Sequence, residues 1–133
     1  MKSKSIPFPF VLEELLSMDY SIKPMFGSYA IYINGKIQFI LRDRIDHQEV
    51  NGIWIATSHE HHESLRKEFP SLESVSILNG GKRETGWQLL HIDNDDFESS
   101  AMHLCELIKK NDPRIGKIPK PKKKKNINNS LFQ

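Results

Sequence analysis

The chain has a single cysteine among its 133 residues, Cys105. That excludes an intrachain disulfide and any zinc site built on paired cysteines. Long apolar runs are also missing. After Lys2 and Lys4, the stretch nearest to a secretory leader is interrupted by Pro7, Pro9, Glu13 and Glu14, and nothing approaches membrane-spanning length. A cytoplasmic protein without a membrane partner is the expectation. Acidic residues are absent from residues 114–133, which hold seven Lys/Arg, whereas residues 1–113 hold 12 Lys/Arg against 17 Asp/Glu. An overall charge of +2 therefore hides an acidic body at −5 and a basic segment at +7.

Catalytic motifs are lacking too. His59-Glu60-His61-His62-Glu63 is not the zinc-binding H-E-x-x-H pattern, because position 63 is Glu, and two ligands a helical turn apart leave a tetrahedral site half empty. Asn79-Gly80-Gly81-Lys82-Arg83 has too few residues between its glycines for a phosphate loop, and a strand pattern follows it. It reads as a hairpin turn. Cys105 and His103 lie two apart on a helix and point in different directions. Cys105 shares the apolar face and reads as a buried, inert thiol. No catalytic residue, metal ligand or cofactor site is assigned, and the chain reads as non-enzymatic.

What is present suits one domain of ordinary size: 38% apolar and 27% charged residues. Pro9 sits well in the first turn of a helix whose Val11, Leu12, Leu15 and Leu16 share a face. Asn34-Gly35, between Tyr29–Ile33 and Lys36–Leu41, predicts a two-residue type I′ hairpin. In that register Tyr32 opposes Ile37, Ala30 opposes Phe39, Ile31 opposes Gln38 and Tyr29 opposes Ile40. One face then carries Ala30, Tyr32, Ile37, Phe39 and Leu41. Gly52–Ala56 reads as a buried strand, and Thr57 or Ser58 caps a helix reaching Phe69, with Glu60 completing a capping box. Ser74–Leu78 and Trp87–Ile92 read as strands. A last helix from Asn94-Asp95 carries Phe97, Ala101, Leu104, Cys105 and Ile108 on one face and ends before Asp112-Pro113. The expected fold is a two-layer α+β domain over residues 1–113, in the order α-β(3)-α-β(2)-α. Its five-stranded, mostly antiparallel sheet has the helices on one face. A basic tail occupies residues 114–133.

Met25-Phe26-Gly27-Ser28-Tyr29-Ala30-Ile31-Tyr32-Ile33-Asn34-Gly35-Lys36 resembles the "MFGGYGLYxDGK" hairpin of TfoX N-terminal-like domains, with Ser28 in place of the second glycine. The second half resembles the MmcQ/YjbR-like family. There a helix ending "LRxxYP", here Leu65-Arg66-Lys67-Glu68-Phe69-Pro70, precedes a hairpin whose return strand begins with Trp, here Trp87. A basic "LPK" end follows, here Ile118-Pro119-Lys120. Asp112-Pro113 stands near where MmcQ/YjbR proteins usually carry Ser-Tyr. The resemblance implies a small α+β fold similar to secretion chaperones. It also implies either a regulatory role of the TfoX kind or the DNA binding attributed to MmcQ/YjbR-like proteins.

Two surfaces follow as candidates. The second hairpin face carries Tyr29, Ile31, Ile33 and Ile40 and is too apolar for plain solvent exposure. Its three explanations are a cover formed by a helix or by Ile115 and Ile118, a homodimer, or a protein partner. The other surface comprises Lys82 and Arg83 at a turn together with Arg114, Lys117, Lys120, Lys122, Lys123, Lys124 and Lys125. Prolines and like charges favour an extended tail. It reads as a nucleic-acid grip on phosphates, an import-like signal or a solubilising end. The first functional expectation is a protein-interaction domain, and the alternative is a nucleic-acid-binding protein.

Overall fold

Asn34 and Gly35 adopt positive φ of 54° and 77°, as a type I′ turn demands, and join strands β2 (Ser28–Ile33) and β3 (Lys36–Arg42). In the computed structural model, which describes residues 6–75 and 86–118, this hairpin lies within an antiparallel sheet. The other strands are β1 (Ser21–Met25), β4 (Gly52–Ile55), β5 (Glu73–Ser74) and β6 (Gln88–His91). Their order is β1-β2-β3-β4-β6-β5. The fold class is α+β, with six strands among the described residues where five were expected. The extra strand is β1, which contains Pro24, a residue disfavoured inside a sheet. At a sheet edge a residue without an N–H is tolerated, and Pro24 pairs with Tyr29 there. Residues 76–85, with the rest of the Ser74–Leu78 strand and the Lys82/Arg83 turn, lie outside the described residues.

Three helices, α1 (Pro9–Glu14), α2 (His62–Glu68) and α3 (Phe97–Lys109), pack on one face of the sheet. Val11, Leu12 and Leu15 are buried, but the chain tightens into a 3-10 turn at Leu16–Met18 and turns Leu16 outward. Phe97, Ala101, Leu104, Cys105 and Ile108 are all buried, as their spacing predicts. The expected capping box does not form. A 3-10 turn, His59–His61, precedes α2, and the Thr57 hydroxyl donates to the Arg114 carbonyl at 2.6 Å.

The hairpin register needs a correction. Tyr32 opposes Ile37 as expected, but a bulge inserts Gln38, so Ile31 opposes Phe39, Ala30 opposes Ile40 and Tyr29 opposes Leu41. One extra residue exchanges faces for everything beyond it. Ile31, Ile33, Phe39 and Leu41 therefore face the helices with Ile53, Ile55 and Leu90. Ala30, Ile37, Ile40, Trp54, Ala56 and Leu89 form a second apolar cluster on the opposite face, joined by Val50 and Val75.

The chain beyond residue 113 stays in contact with the sheet. Lys117 pairs with Ile37 through two 2.9 Å backbone hydrogen bonds, so the chain borders β3 where β4 has ended. Gly116 N–H donates to the Ala56 carbonyl at 2.8 Å, and Ile115 is buried in the helix-side core. The segment 114–117 is a strap belonging to the domain.

Candidate functional site: an apolar recess beside Phe26 and Trp87

Met25-Phe26-Gly27-Ser28 closes the β1–β2 hairpin, with Met25 paired to Ser28. Phe26 and Gly27 have φ of 53° and 72°. Glycine adopts this region freely, but a bulky residue there carries about 1–3 kcal/mol of strain. Phe26 is nevertheless 54% exposed, so burial of its own ring does not explain the geometry. Its ring lies 5.8 Å from that of Trp54 and 6.5 Å from that of Trp87, the latter pair edge to face. Trp54 in turn packs 6.2 Å from Trp87, and its indole N–H donates to the Val50 carbonyl at 2.8 Å. The buried, hydrogen-bonded Trp54 is thus the fixed base on which Phe26 and Trp87 rest.

These rings border a recess of about 480 Å³. Tyr32, Ile37 and Ala56 line it from the sheet, Met25 and Phe26 from the hairpin tip, and Gly86 and Trp87 from the approach to β6. The strap closes the remaining side with Lys117 and Ile118, the latter 74% exposed. Phe26 and Ile118 are two of the four exposed large apolar side chains among the described residues, and both border this recess. Lys117 is the one charged residue among those that line it. Lys23 stands outside the opposite wall, its Nζ 4.9 Å from the Tyr32 ring centre.

Arg114 anchors the strap. Its guanidinium donates to Asp112 at 2.9 and 2.7 Å and to Ser64 at 2.7 Å, and it pairs with Glu68 at 2.6 Å. The Arg114 guanidinium holds the Asp112 carboxyl below its ordinary value, and the two carboxylates raise the arginine's own pKa. Glu68 is lowered first by a hydrogen bond with His103 and then by Arg114.

The expected site residues are placed unevenly. Ile31 and Ile33 are buried under the helices and Ile40 in the second cluster, so the expected apolar surface of Tyr29, Ile31, Ile33 and Ile40 does not exist as one face. For Ile31 and Ile33 the cover is the domain's own helices, together with Ile115. Tyr29 is half-buried and borders a separate, polar recess with Ser28, Asp43 and Arg44. Arg114 is occupied by Asp112 and Glu68, while Lys117 is exposed. Lys82, Arg83, Lys120, Lys122, Lys123, Lys124 and Lys125 lie outside the described residues. Phe26, Trp87 and Met25 were not singled out as surface residues. The signal that could have found them is Phe-Gly at a turn, where a large apolar residue occupies a position suited to glycine or asparagine.

Cys105 is buried, and desolvation, reinforced by Glu14, pushes its thiol up to about 12. Its Sγ–H donates weakly to the Val11 carbonyl at 3.8 Å. Among the described residues no group of three or more His, Cys, Asp or Glu side chains is placed to hold a metal ion. No helix among them is long and apolar enough to cross a membrane. No family model, curated protein or solved structure matches the chain.

Proposed function

We propose that this domain is a non-enzymatic interaction module that holds apolar side chains of a protein partner in the recess beside Phe26 and Trp87. The observation that carries this reading is Phe26: a bulky residue kept at positive φ, packed against Trp54 and edge to face with Trp87, with more than half of its surface left open. Strain of this kind persists where its surroundings impose it, and it concentrates at binding sites. Met25 and Tyr32 also line the recess. All three belong to the segment that resembles the TfoX N-terminal-like hairpin, and the resemblance points to a regulatory role exercised through such contacts. Aromatic and Met side chains around a concavity are the usual make-up of an anchor pocket.

The test is peptide display on the full-length chain and on Phe26→Asp, whose folding is checked by circular dichroism. Peptides retained by the wild type and lost by the variant are expected. Equal retention by both would defeat the reading. The alternative, a nucleic-acid-binding protein, draws on exposed Lys117 and the lysines that follow it. A gel shift with salt titration measures it directly.

A further inference from the structure

Phe26 does not fix its own backbone. Its φ is positive and its ring is more than half exposed, so neither intrinsic preference nor burial accounts for the turn. The hairpin supplies one constraint, because a two-residue connection favours positive φ at both positions. A second constraint comes from farther along the chain. The Arg44 guanidinium donates from Nη1 to the Gly27 carbonyl at 2.9 Å, bridging 17 positions of sequence. Gly27 admits that approach, since a Cβ there would stand 2.7 Å from the same nitrogen.

Arg44 is itself held from several sides. Its Nε donates to the Asp46 carboxylate at 2.7 Å, which lowers the pKa of the acid and raises that of the arginine. Its backbone N–H donates to Asn51 Oδ1 at 3.0 Å, and its carbonyl accepts from Asn51 Nδ2 at 2.8 Å. Asn51 Oδ1 also accepts from Arg42 at 2.6 Å, and Arg42 donates to the Asp46 and His47 carbonyls, each at 3.0 Å. Arg42 and Asn51 are buried, so the loop between β3 and β4 is framed from within and aims Arg44 at the hairpin tip.

We infer that Arg44 is a positioning residue of the recess: clamped by Asp46 and framed by Asn51 and Arg42, it ties down the Phe26-Gly27 turn and keeps the Phe26 ring against Trp54 and Trp87. Its functional meaning rests on the recess reading above, but the latch is measurable without a partner. Arg44 is 42% and Asp46 49% exposed, so the clamp is solvent-screened. Its loss should free the turn without unfolding the domain.

The chain's two tryptophans, Trp54 and Trp87, both contact Phe26, so acrylamide quenching of their fluorescence reports the position of that ring. Arg44→Gln should raise the quenching constant toward that of Phe26→Asp, with far-UV circular dichroism and melting temperature near those of the wild type. Asp46→Asn should go part of the way. Arg44→Lys keeps one donor but cannot serve Asp46 and Gly27 together in the same geometry, so it should recover part of the protection. Added to Phe26→Asp, Arg44→Gln should change nothing further. A Phe26-dependent peptide from the display should bind Arg44→Gln about fivefold more weakly.

Wild-type quenching in Arg44→Gln would overturn the inference and leave the hairpin alone to hold Phe26. So would a further rise when Arg44→Gln is added to Phe26→Asp, because the loop would then act on Trp54 through the Val50 carbonyl. If quenching rises as expected while the display yields no Phe26-dependent peptide, the latch stands and the recess reading falls.

Discussion

Replacing Arg114 with alanine tests whether the strap is built into the domain. The side chain is only 16% exposed and joins three groups: Asp112, Ser64 and Glu68. Hydrogen bonds to charged groups contribute about 1.5–3 kcal/mol when shielded, and exposed ion pairs about 0–1 kcal/mol. This cluster lies between those limits, with Asp112 14% and Glu68 36% exposed. Both carboxylates also approach the same nitrogen, so removing the cation leaves them facing each other. A loss of about 2 kcal/mol follows. Arg114→Lys keeps the charge but cannot span the three acceptors, so about half of that loss is expected. Urea unfolding at constant slope measures the loss, and timed trypsin digestion followed by mass spectrometry reports release of the strap as cleavage after Lys117. Because Lys117 and Ile118 line the recess while Arg114 does not, Arg114→Ala should also weaken peptides bound there. An unchanged midpoint together with unchanged cleavage would refute the argument that Arg114 fastens the strap.

Acid should act on the same cluster. Asp112 and Glu68 have folded pKa values below their ordinary ones, so their contribution is present above about pH 4.5 and is lost as pH falls through the depressed values. Wild-type stability should therefore fall more steeply below about pH 4 than that of Arg114→Ala, and parallel pH profiles would contradict this. Gly52→Ala should prevent folding or cost more than about 3 kcal/mol. At φ +141° its Cβ would stand 2.0 Å from the Leu90 carbonyl oxygen, which the sheet holds in place. A soluble variant with wild-type circular dichroism and melting temperature would show that reasoning to be wrong. Cys105, buried and pushed up to about 12, should react with a disulfide reagent at neutral pH only as fast as the domain unfolds. Immediate stoichiometric reaction in the native state would place the thiol elsewhere.

Local rules carried much of this architecture in the sequence. Asn34-Gly35 fixes its turn because both residues tolerate positive φ, and the apolar spacing of α3 marks the buried face. The absence of acids after Asp112 separates the charges. Other features depend on partners distant in the chain. The Gln38 bulge places Ile37 and Phe39 on opposite faces, and no period-two pattern contains an insertion that only the strand pairing reveals. Strand β1 exists because β2 offers an edge where Pro24 costs no hydrogen bond. Residues 114–117 have the composition of a tail, yet Arg114 finds Asp112 and Glu68, and Lys117 finds Ile37. Composition and local spacing thus determined the class, the helices and the charge division. Tertiary structure decided which apolar side chains lie under the helices and which form the second buried cluster, because a one-residue change of register exchanges the faces and only packing selects the register.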